Sequence, residues 1–243
     1  MLVIKNKSYE IVWGSGKFSY LPVENSGAAQ RALQVSKAAG VSPVVLLRQT
    51  HSTEGFVVEG FLEEFFDRTG DFVITSTPGL TIGVLTADCI PIVLLGTGNA
   101  GTQKTVAGVV HAGWRGLMNG VIEKALCVFM QEYQIAAKDI RVLIGPSIGP
   151  CCYTVREDFC TAVKNSKNAR YGTQIIEYHG KVIRANLVQG AGAIVQDCGI
   201  VPNNIDISSW VCTCCSPQFC SYRRNGKDAE RNFSGVRLFT SDE

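Results

Sequence analysis

Four short runs of β-forming residues between Phe72 and His111 constrain the fold more than any other part of the chain. Proline and glycine separate these runs, which are Phe72 to Thr75, Thr81 to Leu85, Ile90 to Leu95 and Val106 to Val110. Their apolar residues are continuous and do not alternate with polar ones, which is typical of strands covered on both faces. The sequence therefore predicts sheet strands that are buried on both sides.

Shorter β-type runs and helical patterns flank this region. Further strands are predicted at Leu2 to Lys5, Tyr9 to Trp13, Val44 to Leu47, Ile140 to Ile144 and Gly235 to Phe239, with a turn at Gly14-Ser15-Gly16. Helices are predicted at Asn25 to Ala39, Gly116 to Tyr133, Arg156 to Asn165 and Ala185 to Cys198, and a hairpin turn near His179. These elements predict an α/β or α+β fold with mixed β-sheets and flanking helices. Because no repeat or linker interrupts them, we expect a single domain over residues 1–243.

Composition limits the partners of the chain. The 243 residues are 46% hydrophobic, which is ample for a buried core, and 23 Lys and Arg against 21 Asp and Glu leave a net charge of +2. A nucleic-acid partner is not expected at that charge. The first residues lack the apolar segment of a secretory signal, and the most apolar stretch, Gly83 to Gly96, is too short to span a membrane. We therefore expect a cytoplasmic protein without a membrane partner, in which thiols stay reduced.

Cysteine is unusually abundant, with ten residues against three histidines. Most of these thiols are expected to pack as small apolar groups, including Cys127, Cys160, Cys198 and the adjacent pair Cys151-Cys152. Four others fall within nine positions: Cys212, Cys214, Cys215 and Cys220. A second zinc ion is one reading of this run, but its C-x-C-C spacing lacks the paired C-x2-C units of zinc ribbons, so packing is the favoured interpretation.

Three polar motifs follow predicted strands or begin turns, and they contain two of the three histidines and one cysteine. The motifs run from Arg48 to Ser52, Thr86 to Pro91 and Val110 to Gly116, and they include His51, Cys89 and His111. Histidine and cysteine are ligands that suit zinc or copper, and wide spacing suits a three-ligand catalytic site with an open position. The alternative is that all three are ordinary structural groups, which is the commoner fate of such residues.

Three residues close in sequence to these candidate ligands have further predicted roles. Gly113 and Arg115 lie between a predicted strand and a predicted helix, an arrangement that presents free N–H groups and a guanidinium to an anion such as phosphate. Asp88, beside Cys89, is predicted to act as a general base or to orient the site, with a simple turn residue as the alternative. An ion at the three ligand-type residues would activate a water or orient the substrate.

Five ordered motifs resemble the bacterial multicopper polyphenol oxidase (laccase-domain) family. They are Q-T-H-S, T-A-D-C-x-P, H-A-G-W-R-G, I-G-P-S-I-G-P-C-C-Y, and C-T followed by S-Y-R-R, and they extend over about Val44 to Leu238. This family is also described as purine nucleoside phosphorylases and peptidoglycan editing factors. The resemblance implies a CNF1/YfiH-like fold of mixed β-sheets sandwiched by helices. It also implies a zinc ion, or copper, bound by His51, Cys89 and His111.

The same resemblance implies phosphorolysis of adenosine, inosine, guanosine and methylthioadenosine, with adenosine deamination as a second activity. The expected partners are a small-molecule nucleoside and phosphate, with the protein acting as a monomer or homodimer. The residues expected to contact substrate or phosphate are Arg31, Gln49, Gly113, Arg115, Cys212, Arg223 and Arg224. The chain departs from the family pattern after Arg224, where Ala229-Glu230-Arg231 stands in place of T-G-R.

Three alternative functions remain open at this point. The same site could hydrolyse a cell-wall precursor and remove a wrongly incorporated amino acid. Copper-dependent phenol oxidation is disfavoured because a three-copper cluster needs many histidines and the chain has three. A non-enzymatic thiol redox sensor would need exposed, low-pKa cysteines, and the sequence does not reveal exposure.

Overall fold

The part of the chain that the structure describes forms three β-sheets and a set of helices. The computed structural model describes residues 2–18, 34–37, 40, 44–60, 68–98 and 104–240. The strands are β1 Leu2–Lys5, β2 Tyr9–Phe18, β3 Val44–Val45, β4 Gly55–Val57, β5 Phe72–Thr75, β6 Thr81–Thr86, β7 Ile90–Gly98, β8 Lys104–Ala112, β9 Arg141–Ile144, β10 Thr154–Val155, β11 Ile176–His179, β12 Val182–Ala185, β13 Ile205–Asp206 and β14 Arg231–Leu238. The α-helices are α1 Trp114–Asn119, α2 Val121–Tyr133, α3 Glu157–Lys164, α4 Gly172–Ile175, α5 Leu187–Asp197 and α6 Tyr222–Asn225. Short 3₁₀ turns cover Ala137–Asp139, Ala169–Tyr171, Pro202–Asn204 and Gly226–Asp228.

A six-stranded sheet forms the centre, in the order β13-β9-β7-β8-β5-β4. Successive side chains of a strand point to opposite faces, so each central strand contributes to two cores. In β7, Ile92 and Leu94 pack with α1, α2, α3 and α5, whereas Val93 and Leu95 pack toward the second large sheet. The prediction of strands buried on both faces is therefore confirmed for this strand.

The second large sheet has the order β1-β2-β14-β6-β3, with β14 in its middle. The turn predicted at Gly14-Ser15-Gly16 is wrong, because β2 continues to Phe18 and pairs with β14 throughout. The pairing register shifts near Phe233, and Gly14 has a φ of +66° and sits so close to the Phe219 ring that a Cβ would lie 2.0 Å from Cε1. Gly14 thus allows an irregularity within the strand and does not end the strand.

Helices cover the face of the six-stranded sheet opposite the second sheet. The single helix predicted over Gly116 to Tyr133 is instead two helices, α1 and α2, because Gly120 adopts a left-handed φ of +99° between them. Glycine reaches this conformation without the steric penalty of other residues, and apolar periodicity does not reveal such a break. The helices α3 and α5 lie within two residues of their predicted bounds.

A small sheet, β10-β12-β11, completes the described fold, and the hairpin turn predicted near His179 joins β11 to β12. Of the helix predicted over Asn25 to Ala39, only residues 34–37 are described, and they are helical. The α/β (α+β) class with several mixed sheets is confirmed. Among the helices that the structure describes, none is both long and apolar enough to cross a membrane.

Candidate active site

The strand directions bring the predicted ligand residues to one end of the six-stranded sheet. Because β8 runs antiparallel to both β5 and β7, the end of β8 lies beside the starts of the other two strands. His111 is near the end of β8, Cys89 directly precedes β7, and Asp71 directly precedes β5. His51 belongs to the segment before β4, which runs parallel to β5 and begins at the same end. Four polar residues from distant parts of the chain therefore meet.

His51, Cys89 and His111 form a compact cluster. One ligand atom from each residue lies within 4.8 Å of the others, and the two imidazole ring centroids are 4.8 Å apart at an interplanar angle of 58°. His111 is buried, and the other two are partly exposed. The backbone of Gly113 packs closely against the cluster, since a Cβ there would stand 2.1 Å from His51 Nδ1 and 3.2 Å from Cys89 Sγ. The three side chains predicted as ligands are thus brought together.

Asp71 organises this cluster, and it was not predicted from the sequence. Its carboxylate is 2.7 Å from His111 Nδ1 and accepts hydrogen bonds from the backbone N–H of His51 (3.1 Å) and from the hydroxyl of Ser52 (2.7 Å). The residue is only 1% exposed, which is unusual for a carboxylate. The one signal in the sequence was an acidic residue directly before a mostly apolar strand. Asp71 holds both the His111 ring and the loop that carries His51.

Burial and neighbouring charges set the protonation of the cluster. Burial alone lowers the pKa of His111, but the Cys89 sulfur and the hydrogen bond to Asp71 outweigh it and raise this pKa to about 9. Burial alone raises the pKa of Asp71, but hydrogen bonds from His111 and Ser52 hold it below its ordinary value. Burial, and then the proximity of His111, lowers the pKa of His51. When no ion is bound, His111 is therefore the imidazole of the two that carries the additional proton.

The donor atoms fit a metal ion. His111 uses Nδ1 toward Asp71, which leaves Nε2 for a ligand, the arrangement typical of metal-binding histidines. The Nδ1 atom of His51 is buried and has no hydrogen-bond partner among the described atoms, a costly state that a cation would relieve. His51 also has a φ of +59°, a strained backbone conformation that is common at functional sites. Two imidazoles and one thiol form a donor set suited to zinc or copper.

A cavity of about 730 Å³ opens above this cluster, and its size is within the range of small-molecule sites. Among the described residues, four arginines line it, namely Arg48, Arg115, Arg223 and Arg231, together with one carboxylate, Asp88. Aromatic rings are contributed by Trp114, Tyr153 and Tyr222. Arg115, Arg223 and Asp88 were predicted as site residues from the sequence, whereas Arg48, Arg231 and Tyr153 were not. The lining suits a ligand that combines negative charge with a flat apolar part.

Asp88 anchors one side of this cavity. Its two carboxylate oxygens accept hydrogen bonds from the Thr213 hydroxyl (2.7 Å) and the backbone N–H of Arg223 (2.6 Å). Its backbone carbonyl accepts a hydrogen bond from the N–H of Ile148 (3.0 Å), and its φ is +88°. Of the two functional roles predicted for Asp88, these bonds favour orientation of the site over that of a general base.

Gln49 lines the cavity, but its side-chain amide is committed to the fold. Its Nε2 donates to the Leu85 carbonyl (2.8 Å), and its Oε1 accepts from the Leu85 N–H (2.7 Å). This pair of bonds repeats the pattern of a neighbouring strand at the edge of β6. Gln49 therefore positions the segment that leads to His51.

Three of the described residues predicted to contact substrate or phosphate do not line the cavity: Gly113, Cys212 and Arg224. The guanidinium of Arg224 donates to the carbonyl oxygens of Thr213, Cys214 and Phe219 and so braces the loop in front of α6. Cys212 belongs to a separate group of thiols behind the wall of the cavity. None of these positions agrees with the predicted contact, because Gly113 lies against His51 and Cys89, the Arg224 guanidinium is committed to its own loop, and the Cys212 sulfur accepts a hydrogen bond from the backbone N–H of Gly149. Arg31 lies outside the described residues.

The protein combines a mixed α/β fold with a His/His/Cys cluster at the base of an arginine-lined cavity. These features define a class of protein with a candidate metal centre and a cavity suited to a small, anionic ligand. Residues 23–238 match the family model described as multi-copper polyphenol oxidoreductase laccase. The chain belongs to this family, which confirms the family resemblance seen in its motifs.

Curated relatives carry names of enzymes that act on nucleosides. A protein of Aquifex aeolicus named purine nucleoside phosphorylase is 36% identical over 168 residues, covering 69% of this chain and 70% of the relative. The human purine nucleoside phosphorylase LACC1 is 31% identical over 231 residues, 87% of this chain, which spans about half (51%) of the human protein. A protein from an unknown prokaryotic organism named adenosine deaminase RL5 is 30% identical, covering 86% of this chain and 80% of the relative.

A solved structure supports the fold. The hypothetical protein YfiH of Bacillus licheniformis superimposes with a TM-score of 0.76 over 95% of this chain and 92% of its own, at 23% sequence identity. At this identity the likeness concerns the fold alone. The expectation of a YfiH-like architecture is therefore confirmed.

Proposed function

We propose that the protein is a zinc-dependent purine nucleoside phosphorylase that also deaminates adenosine. The observation that carries the proposal is the convergence of His51, Cys89 and His111 at the base of a cavity lined by four arginines. The names of the relatives from Aquifex aeolicus and from human support phosphorolysis, and the name of the relative RL5 supports deamination. The substrates we propose are adenosine, inosine, guanosine and methylthioadenosine, with inorganic phosphate as the second substrate.

The cluster would hold zinc through two imidazole nitrogens and one thiolate. A bound zinc ion supplies Lewis acidity and an open coordination position toward the substrate. Asp71 keeps the His111 ring oriented and leaves Nε2 of that ring for the ion. The choice of zinc over copper rests on the donor set, since the chain has three histidines and a multicopper cluster needs more.

Arginines would bind the phosphate. The Arg115 guanidinium lies over the Trp114 ring, with its carbon 4.4 Å from the ring centroid, and this stacking limits its freedom at the cavity edge. The Arg223 guanidinium lies over the Tyr153 ring, with its carbon 5.2 Å from the ring centroid. Guanidinium groups bind phosphate through paired hydrogen bonds, and two of them would neutralise much of its charge.

The aromatic rings would bind the purine. Trp114 and Tyr153 lie beneath the two arginines, and both line the cavity. Burial, followed by the charges of Cys89 and its neighbours, raises the pKa of Tyr153 to about 12, so its hydroxyl stays protonated and can donate a hydrogen bond. A flat base in this cavity would contact these rings and the guanidinium groups that lie over them.

Two reactions follow from this arrangement. In phosphorolysis, a phosphate oxygen bonds to C1′ of the ribose as the bond from C1′ to the purine nitrogen breaks, giving the free base and ribose 1-phosphate. In deamination, water adds at C6 of adenine and ammonia leaves, giving inosine. Because the first reaction consumes phosphate and the second consumes water, the presence of phosphate distinguishes them.

The test is an assay of the purified protein with adenosine, scored by chromatography for adenine, ribose 1-phosphate and inosine. With phosphate present we expect ribose 1-phosphate in an amount equal to adenine plus hypoxanthine, because inosine formed by deamination is itself a substrate, and without phosphate we expect inosine alone. An Arg115→Ala variant should raise the KM for phosphate about tenfold, as expected for the loss of one charge-assisted bond. The Arg141→Ala variant is the matched control, since Arg141 pairs with Asp206 at the opposite end of β9 from the site and should leave KM unchanged.

The metal dependence is tested separately. Replacing His51 with alanine should reduce turnover at least about 100-fold and lower the zinc content by one equivalent. Formation of no nucleoside product under either condition would refute the proposed function, and the cell-wall precursor would then be the next substrate to test.

A further inference from the structure

Four cysteines outside the active site come together in space. The sulfur atoms of Cys151, Cys152, Cys212 and Cys215, which we call the thiol cluster, all lie within 4.8 Å of one another. The Cys215 sulfur is 3.6 Å from that of Cys151 and 3.3 Å from that of Cys152. Nothing in the function proposed above uses this group. The expectation that Cys151 and Cys152 serve as ordinary packing residues does not agree with this placement.

Two loops build the thiol cluster. One covers residues 145–153 between β9 and β10, and the other covers residues 207–221 before α6. They pair like short parallel strands: the N–H of Ser147 donates to the Val211 carbonyl (3.2 Å), and the N–H of Thr213 donates to the Ser147 carbonyl (3.1 Å). This backbone pairing, and not sequence proximity, sets the two pairs of thiols opposite each other.

The thiol cluster has the dimensions of a tetrahedral metal site. With Zn–S bonds of 2.3 Å, the edges of a tetrahedron of sulfur atoms are about 3.8 Å long. The two sulfur distances given above lie just below this value, and the others extend to at most 4.8 Å, so small rotations of the side chains suffice. Four thiols and no imidazole form a soft donor set that selects zinc among the common divalent ions of proteins.

Burial and hydrogen bonding also fit a metal site. Cys212 is buried, while Cys151 and Cys215 are exposed, so an ion would sit just beneath the surface with one ligand reaching the core. The backbone N–H of Gly149 donates to the Cys212 sulfur at 3.2 Å. Such N–H bonds favour thiolate ligands and hold them in orientation. Four thiolates would fill the coordination shell and leave no open position, which is the mark of a structural site.

The thiol cluster is connected to the wall of the active-site cavity. Thr213 follows Cys212 directly and donates its hydroxyl to Asp88, while Ile148 of the first loop donates its N–H to the Asp88 carbonyl. Tyr153, which lines the cavity, follows Cys152 directly. Fastening the two loops together therefore holds Asp88 and Tyr153 in place beside Cys89.

We propose that the thiol cluster binds a structural zinc ion that fastens the loop carrying Ile148 and Tyr153, which line the active-site cavity, to the loop whose Thr213 bonds to Asp88. This ion is separate from the metal proposed for the His/His/Cys cluster, so its existence does not depend on the proposed function. It explains why four thiols, two of them exposed, stand close together.

The experiment measures zinc per chain by elemental analysis of the intact protein and of single variants. Because Cys215 is exposed, Cys215→Ser is a near-isosteric change that the fold should tolerate, and we expect it to lose one zinc equivalent relative to the unmodified protein. Cys151→Ser provides a second, independent loss of the same equivalent. Cys127→Ser, which changes a thiol of α2 outside the cluster, is the matched control and should lose none.

Cobalt substitution identifies the ligands. A tetrathiolate cobalt site has intense sulfur-to-metal absorption, and the His/His/Cys cluster contributes only one thiolate. We expect Cys215→Ser to lose most of this absorption and His51→Ala to retain most of it, whatever the nucleoside assay shows. Circular dichroism of each variant verifies that it is folded.

Three results would overturn the proposal. One is an unchanged zinc content in both Cys215→Ser and Cys151→Ser, with each variant folded. Another is a protein mass two hydrogens below the all-thiol value, with two cluster thiols resistant to alkylation, which would identify a disulfide in place of the ion. Iron or copper in the cluster in place of zinc would equally refute it.

Discussion

Gly113→Ala is the sharpest perturbation of the His/His/Cys cluster. The backbone of Gly113 has φ −69° and ψ 159°, which alanine adopts without strain, so the change acts only through the added methyl group. That methyl carbon would stand 2.1 Å from His51 Nδ1, 2.7 Å from Cε1 of the same ring and 3.2 Å from Cys89 Sγ. The His51 ring must therefore move.

The required movement sets the magnitude. Ordinary van der Waals contact begins near 3.4 Å, so the His51 ring must retreat by at least about 1.3 Å, while its backbone N–H stays bonded to Asp71. Metal–nitrogen bonds tolerate deviations of only about 0.2 Å, so the displaced ring no longer serves as a ligand. Loss of a residue that merely orients a ligand costs 10- to 100-fold in affinity, so we expect at least about 100-fold here, or about 2.8 kcal/mol.

The assay is a zinc titration of the metal-free protein against a chromogenic chelator, with thermal unfolding followed in parallel. Gly192→Ala is the matched control, because a Cβ at this position of α5 meets no atom within 4 Å, and it should leave zinc affinity unchanged. If Gly113→Ala binds zinc in the active site as tightly as the unmodified protein does, His51 is not a ligand, and the cluster has been assigned incorrectly.

Two further predictions concern Asp71 and His111. Asp71→Asn should weaken zinc affinity 10- to 100-fold, because the amide orients the His111 ring less well, and an unchanged affinity in the same titration would count against the role of Asp71. In metal-free protein, the pKa of His111 is raised to about 9, so its contribution to stability is complete below pH 6.5 and is lost as the pH rises through 9. Chemical denaturation from pH 6 to 9.5 should show a loss of about 3 kcal/mol that His111→Gln lacks, and equal slopes for both proteins would contradict it. The pKa of Asp71 is lowered, so its contribution is present above its ordinary pKa of 3.8 and is lost only on acidification below it.

The central strands and most helices could be predicted because their signals are local. Continuous apolar runs such as Ile90 to Leu95 indicate burial on both faces, and the structure divides this run between two cores. Local signals failed where the backbone conformation of a single glycine interrupts a uniform sequence pattern. Gly120 breaks a helix whose periodicity continues on both sides, and Gly14 serves an irregular strand in place of a turn.

The candidate site was predicted only in part. His51, Cys89 and His111 stand out in the sequence because histidine is scarce and their motifs are ordered, but spacings of 38 and 22 residues carry no geometry. Asp71 was missed because a single carboxylate before a strand has no distinctive pattern, although it bonds to both histidine segments.

Sequence alone thus established the class of fold, the family resemblance and the residue types available for chemistry, since these depend on composition and on neighbours along the chain. Tertiary structure decided which of those residues meet. The antiparallel pairing of β8 with β5 and β7 brings Asp71, Cys89 and His111 to one end of a sheet, and the pairing of two loops joins cysteines about 60 positions apart. The physical reason is that hydrogen bonding between strands, which is set by the whole core, fixes distances that no local spacing encodes.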